Sequence, residues 1–239
     1  MGQILALELE SKAAAVRELL ASAAQAHGRV VYANSLGLEA MVLTDIICSQ
    51  LPQIDIVSID TGRLHEQTHE LLGRLQQRFP GRIRVINPDA AELSALVDRQ
   101  GSNGFFDSHE NRVACCRVRK VIPFQRFVSG YRAWVTGVRR EQSQARALAE
   151  PVEWDAQHGL HKVSPLLEWT AEQVRAYVHA RQLPYNRLHD QGFPSIGCAP
   201  CTRAVLPGED QRAGRWWWEH AEGRECGLHP RVRNRGASS

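Results

Sequence analysis

Four cysteines in two pairs give the strongest chemical signal in the sequence. Cys115 and Cys116 are adjacent, whereas Cys198 and Cys201 are separated by Ala-Pro in a Cys-x-x-Cys turn. Such a turn directs two thiolates at one metal centre, and a second cysteine pair can complete four sulfur ligands. Adjacent side chains on a helix diverge by about 100°, which strains a single tetrahedral ion but suits a cubane with separate irons. The spacing therefore favours a [4Fe-4S] cluster over zinc.

Three other interpretations of these cysteines stay open on spacing alone. The first is a structural zinc site. The second is a pair of buried thiols beside a surface Cys-x-x-Cys turn, and the third is a redox pair within that turn.

A fifth cysteine, Cys226, lies near the end of the chain in the run Glu-Cys-Gly-Leu-His. The neighbours Arg224 and His229 favour the thiolate, which is the nucleophilic form of the side chain. Glu225 opposes ionisation, and an inert surface thiol is the alternative interpretation. A reactive thiol on a mobile C-terminal segment can meet a ligand in a cleft and then a second protein. The sequence therefore predicts Cys226 as a candidate nucleophile.

Three short loops are rich in Ser, Thr, Gly and Arg, and each follows a segment with the composition of a buried strand. Backbone N–H groups at a strand-to-helix turn, together with the positive end of the helix, can bind an anion. Arginines add forked hydrogen bonds to phosphate or sulfate groups, unless they only cap the edge of the sheet. Loops that meet at one sheet edge form a single nucleotide cleft. The candidate ligand-binding residues are Ser35 and Gly37, Thr61 and Gly62, and Gly137, Arg139, Arg140 and Arg146.

The segments that would position these residues alternate between strands and helices. Short apolar segments rich in β-branched residues predict four strands, and helical spacing of apolar residues predicts the helices. The alternation predicts a parallel, twisted sheet with helices on both faces and ligands at the carboxyl ends of its strands. The predicted strands are 29–33, 54–59, 82–86 and 133–136. The predicted helices are 9–27, 38–50, 65–79, 90–122 with a break at 101–107, and 166–181 with Thr170 as a start signal.

The composition, with 43% hydrophobic and 23% charged residues among 239, is that of a globular protein and excludes a disordered or fibrous class. Its apolar runs are shorter than the roughly 20 residues that span a bilayer, and Glu8 and Glu10 lie where a signal peptide would be apolar. We therefore expect a cytoplasmic protein, whose cysteines are thiols, metal ligands or redox groups before they are disulfides. Arginines cluster within 112–119, 139–146 and 203–215, which fits a polyanionic ligand, nucleic acid or a solvated basic face.

Taken together, the two cysteine pairs and the segments 115–120, 136–146 and 225–229 resemble assimilatory adenosine 5′-phosphosulfate (APS) reductases. These enzymes belong to a family that also reduces 3′-phosphoadenosine 5′-phosphosulfate (PAPS), and the resemblance extends from about residue 34 to residue 229. It implies an adenine nucleotide α-hydrolase-like, Rossmann-like α/β fold. Residues 1–205 would form the nucleotide-binding domain with a [4Fe-4S] cluster on the four paired cysteines. Residues 206–239 would form a mobile C-terminal segment with the catalytic Cys226.

The resemblance also implies a reaction. Cys226 would attack the sulfur of APS, form an S-sulfocysteine and release AMP. Thioredoxin or glutaredoxin would then free sulfite, as a step of assimilatory sulfate reduction and cysteine biosynthesis. By the same resemblance, Lys120 links the cluster electrostatically to the substrate, Arg212 and Arg215 hold its anionic part, and His229 contacts it. Neither nucleic acid nor a membrane is an expected partner, and a homo-oligomer is left open.

Departures from the family pattern define the alternatives. Relatives that reduce PAPS generally lack the cluster cysteines, so the four cysteines imply APS as the preferred substrate. Leu38 and Ala40 stand where Ala and Asp are common in the first loop, and Arg224 replaces the usual Lys. The alternative functions are PAPS reduction, tRNA thiolation by a related nucleotide-fold enzyme, and a non-catalytic metal-binding module. The thiolating enzymes usually carry a Ser-Gly-Gly-x-Asp-Ser loop, which residues 35–40 do not match.

Overall fold

A six-stranded sheet forms the centre of the structure, a computed structural model that describes residues 2–143, 146–219 and 228. Its strands are β1 (Val30–Asn34), β2 (Asp55–Ile59), β3 (Ile83–Ile86), β4 (Ala133–Val135), β5 (Val152–Asp155) and β6 (Leu160–Val163). Across the sheet they follow the order β3-β2-β1-β4-β6-β5. All neighbours are parallel except β5, which pairs antiparallel with β6 at one edge. The predicted parallel sheet is confirmed, with an antiparallel edge strand added.

Helices cover both faces of the sheet, as predicted. They are α1 (Gly2–His27), α2 (Leu38–Gln50), α3 (Glu66–Arg78), α4 (Ala90–Gln100), α5 (His109–Cys116), α6 (Ile122–Val128) and α7 (Ala171–Ala180). Successive strand residues point to opposite faces, so Val30 and Tyr32 pack in one apolar core and Val31 in a second. The first core includes side chains of α1, α2, α3 and α7, and the second includes side chains of α6. No helix within the described ranges is long and apolar enough to cross a membrane.

Some predicted boundaries are wrong. α1 begins at Gly2 and not at residue 9. α7 begins at Ala171 and not at residue 166, because Thr170 caps it: the Thr170 hydroxyl accepts from the Gln173 N–H, and the Gln173 side chain accepts from the Thr170 N–H. The hairpin of β5 and β6 is not indicated by the sequence patterns above, and it turns at Gly159, whose φ is +66°.

Residues 202–219 pack against the cysteine region of the domain in irregular structure. Thr202 and Arg215 form an isolated antiparallel bridge, and the N–H of the buried Trp216 donates to the Cys201 carbonyl at 3.2 Å. Leu228, the described residue beyond 219, packs against the second apolar core. The bridge therefore ties this stretch of chain to the Cys-x-x-Cys turn.

Candidate active site

A cavity of about 220 Å³, which we call the strand-end cavity, opens at the carboxyl ends of β1, β2 and β4. In the sheet, β1 lies between β2 and β4, so the strand order reverses its direction at β1. Parallel sheets bind ligands at the carboxyl ends of the strands where the order reverses. The predicted residues in its lining are Ser35, Gly37, Thr61, Lys120, Gly137, Arg139, Arg146, Arg212 and Arg215. Gly62 and Arg140 are not part of the lining. Cys226 and His229 lie outside the described residues.

The loop after β1 is held in place by the buried side chain of Asn34. Its Nδ2 donates to Thr44 Oγ1 at 2.9 Å, and its Oδ1 accepts from the Leu36 N–H at 2.8 Å. Leu36 has a φ of +60°, a left-handed conformation that costs energy for a residue other than glycine and often occurs at functional sites. This turn brings Ser35 and Gly37 to the N-terminus of α2, where backbone N–H groups and the helix dipole favour an anion.

Thr61, in the loop after β2, connects the strand-end cavity to the cysteines. Its Oγ1 lies 3.2 Å from Cys198 Sγ, and its carbonyl accepts from Arg119 Nη1 at 2.6 Å. Gly62 has a φ of +68°, and its N–H donates to Asp60 Oδ1 at 2.8 Å. Gly62 therefore shapes the turn that positions Thr61.

The three arginines of the loop after β4 have different surroundings. Arg139 is only 3% exposed, and its Nε lies 2.9 Å from Glu39 Oε1. Arg140 extends to Glu168, with 2.6 Å between Nε and Oε1. Arg146 lines the strand-end cavity, and its Nη1 donates to Gln142 Oε1. Arg139 and Arg146 therefore border the space where a ligand can bind, whereas Arg140 does not.

All four cysteines of the two pairs line a second, smaller cavity, which we call the cysteine cavity. Cys115 and Cys116 end α5, whereas Cys198 and Cys201 lie at the ends of a short helical turn. The cysteine cavity is also lined by Arg63, Phe105, Arg112, Arg119, Lys120 and Pro200. No three Cys, His, Asp or Glu side chains are placed to hold one metal ion in the part of the chain that the structure describes. The donor set nevertheless fits a cluster, because a cluster offers each thiolate its own iron.

Burial makes two of these thiols, Cys115 and Cys201, difficult to ionise. It raises the pKa of Cys201 to about 12, with the neighbouring cysteines adding to the effect and Lys120 opposing it. Burial also raises the pKa of Cys115, against the opposing effect of Arg119. Thiolates in this cavity therefore need positive charge beside them, and the bordering cations supply part of it.

Lys120 lines both cavities. It lies in the π-helical turn Arg117–Val121, which continues directly from α5 and its two cysteines. Such turns interrupt the regular direction of side chains along a helix and often occur at functional sites. The ammonium group can therefore act on charged groups in either cavity. The electrostatic link that the family resemblance assigns to Lys120 requires such a position and stays a prediction.

Arg215 is buried in the wall of the strand-end cavity. Its guanidinium lies 4.5 Å from the centre of the Trp216 ring, and its Nη1 donates to the Ile196 carbonyl at 3.3 Å. Gly197 makes room for it, because a β-carbon built at that position would lie 2.6 Å from Arg215 Cζ. The lack of a side chain at Gly197 and the stacking on Trp216 thus fix the direction of the guanidinium.

The sequence patterns do not indicate Arg112 and His189 as individual site residues. Arg112 is 2% exposed, lies 4.6 Å over the Trp216 ring, and pairs with Glu219 through hydrogen bonds of 2.5 and 3.0 Å. Arg112 belongs to a noted arginine cluster, but its partner is 107 positions away, and no local pattern reveals such a pair. The second residue is His189, which lines the strand-end cavity and lies in the short helical segment Arg187–Gln191.

Known proteins are similar to this chain in sequence and in fold. Residues 29–204 match the phosphoadenosine phosphosulfate reductase domain. The chain is 48% identical to the adenosine 5′-phosphosulfate reductase of Allochromatium vinosum over 223 residues, which cover 93% of this chain and 87% of that protein. The phosphoadenylyl-sulfate reductase of Candida auris superposes with a TM-score of 0.68 at 27% identity, covering 80% of this chain and 90% of its own. The FMN adenylyltransferase of Candida glabrata, with a TM-score of 0.61 at 14% identity over 95% of this chain and 80% of its own, shares the fold alone.

Proposed function

Because this chain belongs to the phosphoadenosine phosphosulfate reductase family, we propose that it is an APS reductase, an oxidoreductase that acts on a sulfur group. The proposed reaction converts APS to sulfite and AMP within assimilatory sulfate reduction and cysteine biosynthesis. The observation that carries the proposal is that a strand-end cavity and a cavity lined by four cysteines adjoin at Lys120. The names of the relatives favour this reaction over tRNA thiolation.

The strand-end cavity is suited to a nucleotide with a strongly anionic end. Its lining combines apolar side chains, such as those of Val57 and Trp134, with the cations Arg146, Arg212 and Arg215. Guanidinium groups bind phosphate and sulfate oxygens through paired hydrogen bonds, and the N-terminus of α2 adds backbone donors. In this proposal the cations and the helix N-terminus hold the phosphosulfate, and the apolar walls hold the nucleoside.

We propose that Cys115, Cys116, Cys198 and Cys201 hold a [4Fe-4S] cluster. Four thiols that line one cavity bordered by cations support this assignment. When bound, such a cluster would supply a buried negative charge beside Lys120 and would so tune the field at the sulfate group. Analysis of iron and acid-labile sulfide in the purified protein tests the assignment, and zinc without iron would contradict it.

Cys226 is the proposed nucleophile. Its thiolate would attack the sulfur of APS, the bond from sulfur to the bridging oxygen would break, and AMP would leave with the electron pair. A thiolate of thioredoxin or glutaredoxin would then attack the Cys226 sulfur and release sulfite, and the second thiol of that protein would resolve the mixed disulfide. The two electrons of the reduction thus come from the donor's dithiol. In support, Leu228 lines the strand-end cavity. Cys226 precedes Leu228 by two positions, and two residues of chain span at most about 7 Å.

Mass spectrometry of the protein mixed with APS in the absence of reductant tests the nucleophile. We expect a sulfonate adduct on the peptide that contains Cys226. The variant Cys226→Ser should lose the adduct and sulfite release but keep its iron. The control variant Cys48→Ser changes a cysteine of α2 that lines neither cavity, and it should keep adduct, sulfite release and iron. Sulfite release by Cys226→Ser would refute the assignment.

Steady-state kinetics with APS and PAPS, on protein of known iron content, test the choice of substrate. We expect a higher kcat/KM with APS, because the family resemblance links the four cysteines to that substrate. Leu38 and Ala40, which depart from the family pattern, lie in the first turn of α2 next to the cavity-lining Gly37 but are not part of the lining. A higher kcat/KM with PAPS would contradict this part of the proposal.

A further inference from the structure

A buried histidine, His189, lines the strand-end cavity. It is 8% exposed, and neither ring nitrogen has a hydrogen-bond partner among the described residues. The Phe193 backbone is near the ring but outside hydrogen-bonding geometry. Buried polar groups in native proteins are nearly always paired with protein, water or ligand. Two unpaired nitrogens in a cavity wall therefore indicate a ring that is built to meet a ligand.

The backbone around His189 is firmly held. Asn186 begins the helical segment: its Oδ1 accepts from the Leu188 N–H at 3.1 Å, and its Nδ2 donates to Thr68 Oγ1 of α3 at 2.9 Å. Gly192 ends the segment with a φ of +81°. Because both ends are fixed, the imidazole reaches the cavity from a rigid support and not from a loose loop.

The chemistry of the ring selects one part of a nucleotide. Burial lowers the pKa of His189, with Glu39 opposing, so the ring is neutral near pH 7 and carries one N–H donor and one acceptor. The same cavity already offers the cations Arg146, Arg212 and Arg215 to anionic groups. A neutral ring adds no charge to that set, but it can pair with a group that both donates and accepts hydrogen bonds.

We propose that His189 binds the uncharged nucleoside part of the substrate, through the adenine edge or a ribose hydroxyl. The proposal rests on the function proposed above and names a binding residue that recognises the nucleoside and not the sulfate. Loss of one neutral hydrogen bond should weaken binding by about 2- to 12-fold. The effect should fall on the Kd of AMP and the KM of APS and leave kcat within about twofold, because the contact is made equally in the ground state and the transition state.

The experiment uses the full-length protein and three ligands: AMP, inosine 5′-monophosphate and ribose 5-phosphate. Calorimetry gives their Kd values for the wild type, for His189→Leu, and for His189→Gln, which keeps a donor and an acceptor. His179→Leu is the control, because His179 is exposed at the end of α7 and lies outside the cavity lining. We expect His189→Leu to lose AMP affinity, His189→Gln to lose less, and His179→Leu to match the wild type. A loss confined to AMP assigns the adenine edge, and an equal loss for all three ligands assigns the ribose.

A direct readout keeps the proposal testable if His189→Leu does not fold. The ring ¹⁵N signals of His189 in the wild type, assigned by their loss in His189→Gln, should shift as AMP is added. If AMP binds and these signals do not move, the inference is wrong while the proposed function stands. If AMP and APS both fail to bind the wild type, the proposed function itself fails.

Discussion

The ion pair between Arg112 and Glu219 gives the prediction that the structure defines most sharply. Glu219 is the last described residue before the segment that leads to Cys226, and its carboxylate holds the guanidinium at 2.5 and 3.0 Å. The side chains are only 2% and 8% exposed. Removing one partner of a buried pair leaves an uncompensated charge and costs about 3–5 kcal/mol. Arg112 would retain the Trp216 ring at 4.6 Å, so we expect Glu219→Ala to cost about 3 kcal/mol, the lower end of that range.

Thermal unfolding measures this cost against a matched control. In a chain of this length 1 kcal/mol corresponds to about 2–4 °C, so Glu219→Ala should lower the Tm by roughly 6–12 °C. Glu92→Ala removes the carboxylate of an exposed pair with Arg126, whose side chains are 32% and 58% exposed. Exposed pairs contribute about 0.2–1 kcal/mol, so the control should lose no more than about 4 °C.

A double variant separates the charge from the packing. Replacing Arg112 with Met and Glu219 with Leu removes both charges and keeps apolar volume, and such replacements of buried pairs are often neutral or stabilising. We therefore expect the double variant to unfold well above Glu219→Ala. Equal Tm losses in Glu219→Ala and Glu92→Ala would refute the reasoning, since the argument depends on burial of the first pair.

Three further predictions concern the strand-end cavity. Gly197→Ala should push the Arg215 guanidinium aside and weaken AMP binding by about 10-fold or more, the value of a hydrogen bond to a charged group, as measured by calorimetry. Gly73→Ala, where an added β-carbon meets nothing within 4 Å, should leave AMP affinity unchanged. Arg139→Met should lower the Tm by several degrees while changing AMP affinity little, because its guanidinium is held by carboxylates; a large loss of affinity with an unchanged Tm would contradict this. Burial lowers the pKa of His189 below its usual 6.5. The unfolded chain therefore binds the proton first as the pH falls. The stability that the neutral ring contributes is complete above pH 6.5 and declines below that pH. His189→Gln should therefore reduce the fall in Tm between about pH 7 and pH 5. A dependence of Tm on pH equal to that of the wild type would contradict this prediction.

The fold was predictable where local composition and burial agree. The strands β1 to β4 were predicted within one or two residues because each is a short apolar run, and β1 and β4 are buried almost throughout. The hairpin of β5 and β6 was missed for the opposite reason. β5 is an edge strand whose Val152 and Trp154 are 39% and 61% exposed, and β6 buries only its two end residues. An edge strand is stabilised by its neighbour, and a neighbour leaves little trace in the local sequence.

The site was predictable where residue type limits the chemistry. The spacing of the cysteine pairs pointed to one shared site, and Cys115, Cys116, Cys198 and Cys201 do line one cavity. His189 gave no signal, because one histidine in an irregular segment is most often a packing or surface residue. Its candidacy depends on two facts that only the fold supplies, namely its burial and the lack of partners for its ring nitrogens.

The arginines show why residue type alone cannot tell which side chains set the electrostatic field at the cysteines. A buried guanidinium must be compensated, and the nature of its partner decides whether its charge still acts on its surroundings. Arg139 is neutralised by carboxylates and lies outside the lining of the cysteine cavity, so its main effect is on stability. Arg112 pairs with Glu219 but also lines that cavity and interacts with the Cys116 thiol. Arg119 is equally buried, but it donates to the Thr61 carbonyl, which carries no net charge, and it opposes the burial that raises the pKa of Cys115. Three arginines of similar burial therefore differ by their partners: Arg139 mainly affects stability, whereas Arg119 and, in part, Arg112 can stabilise thiolates in the cysteine cavity.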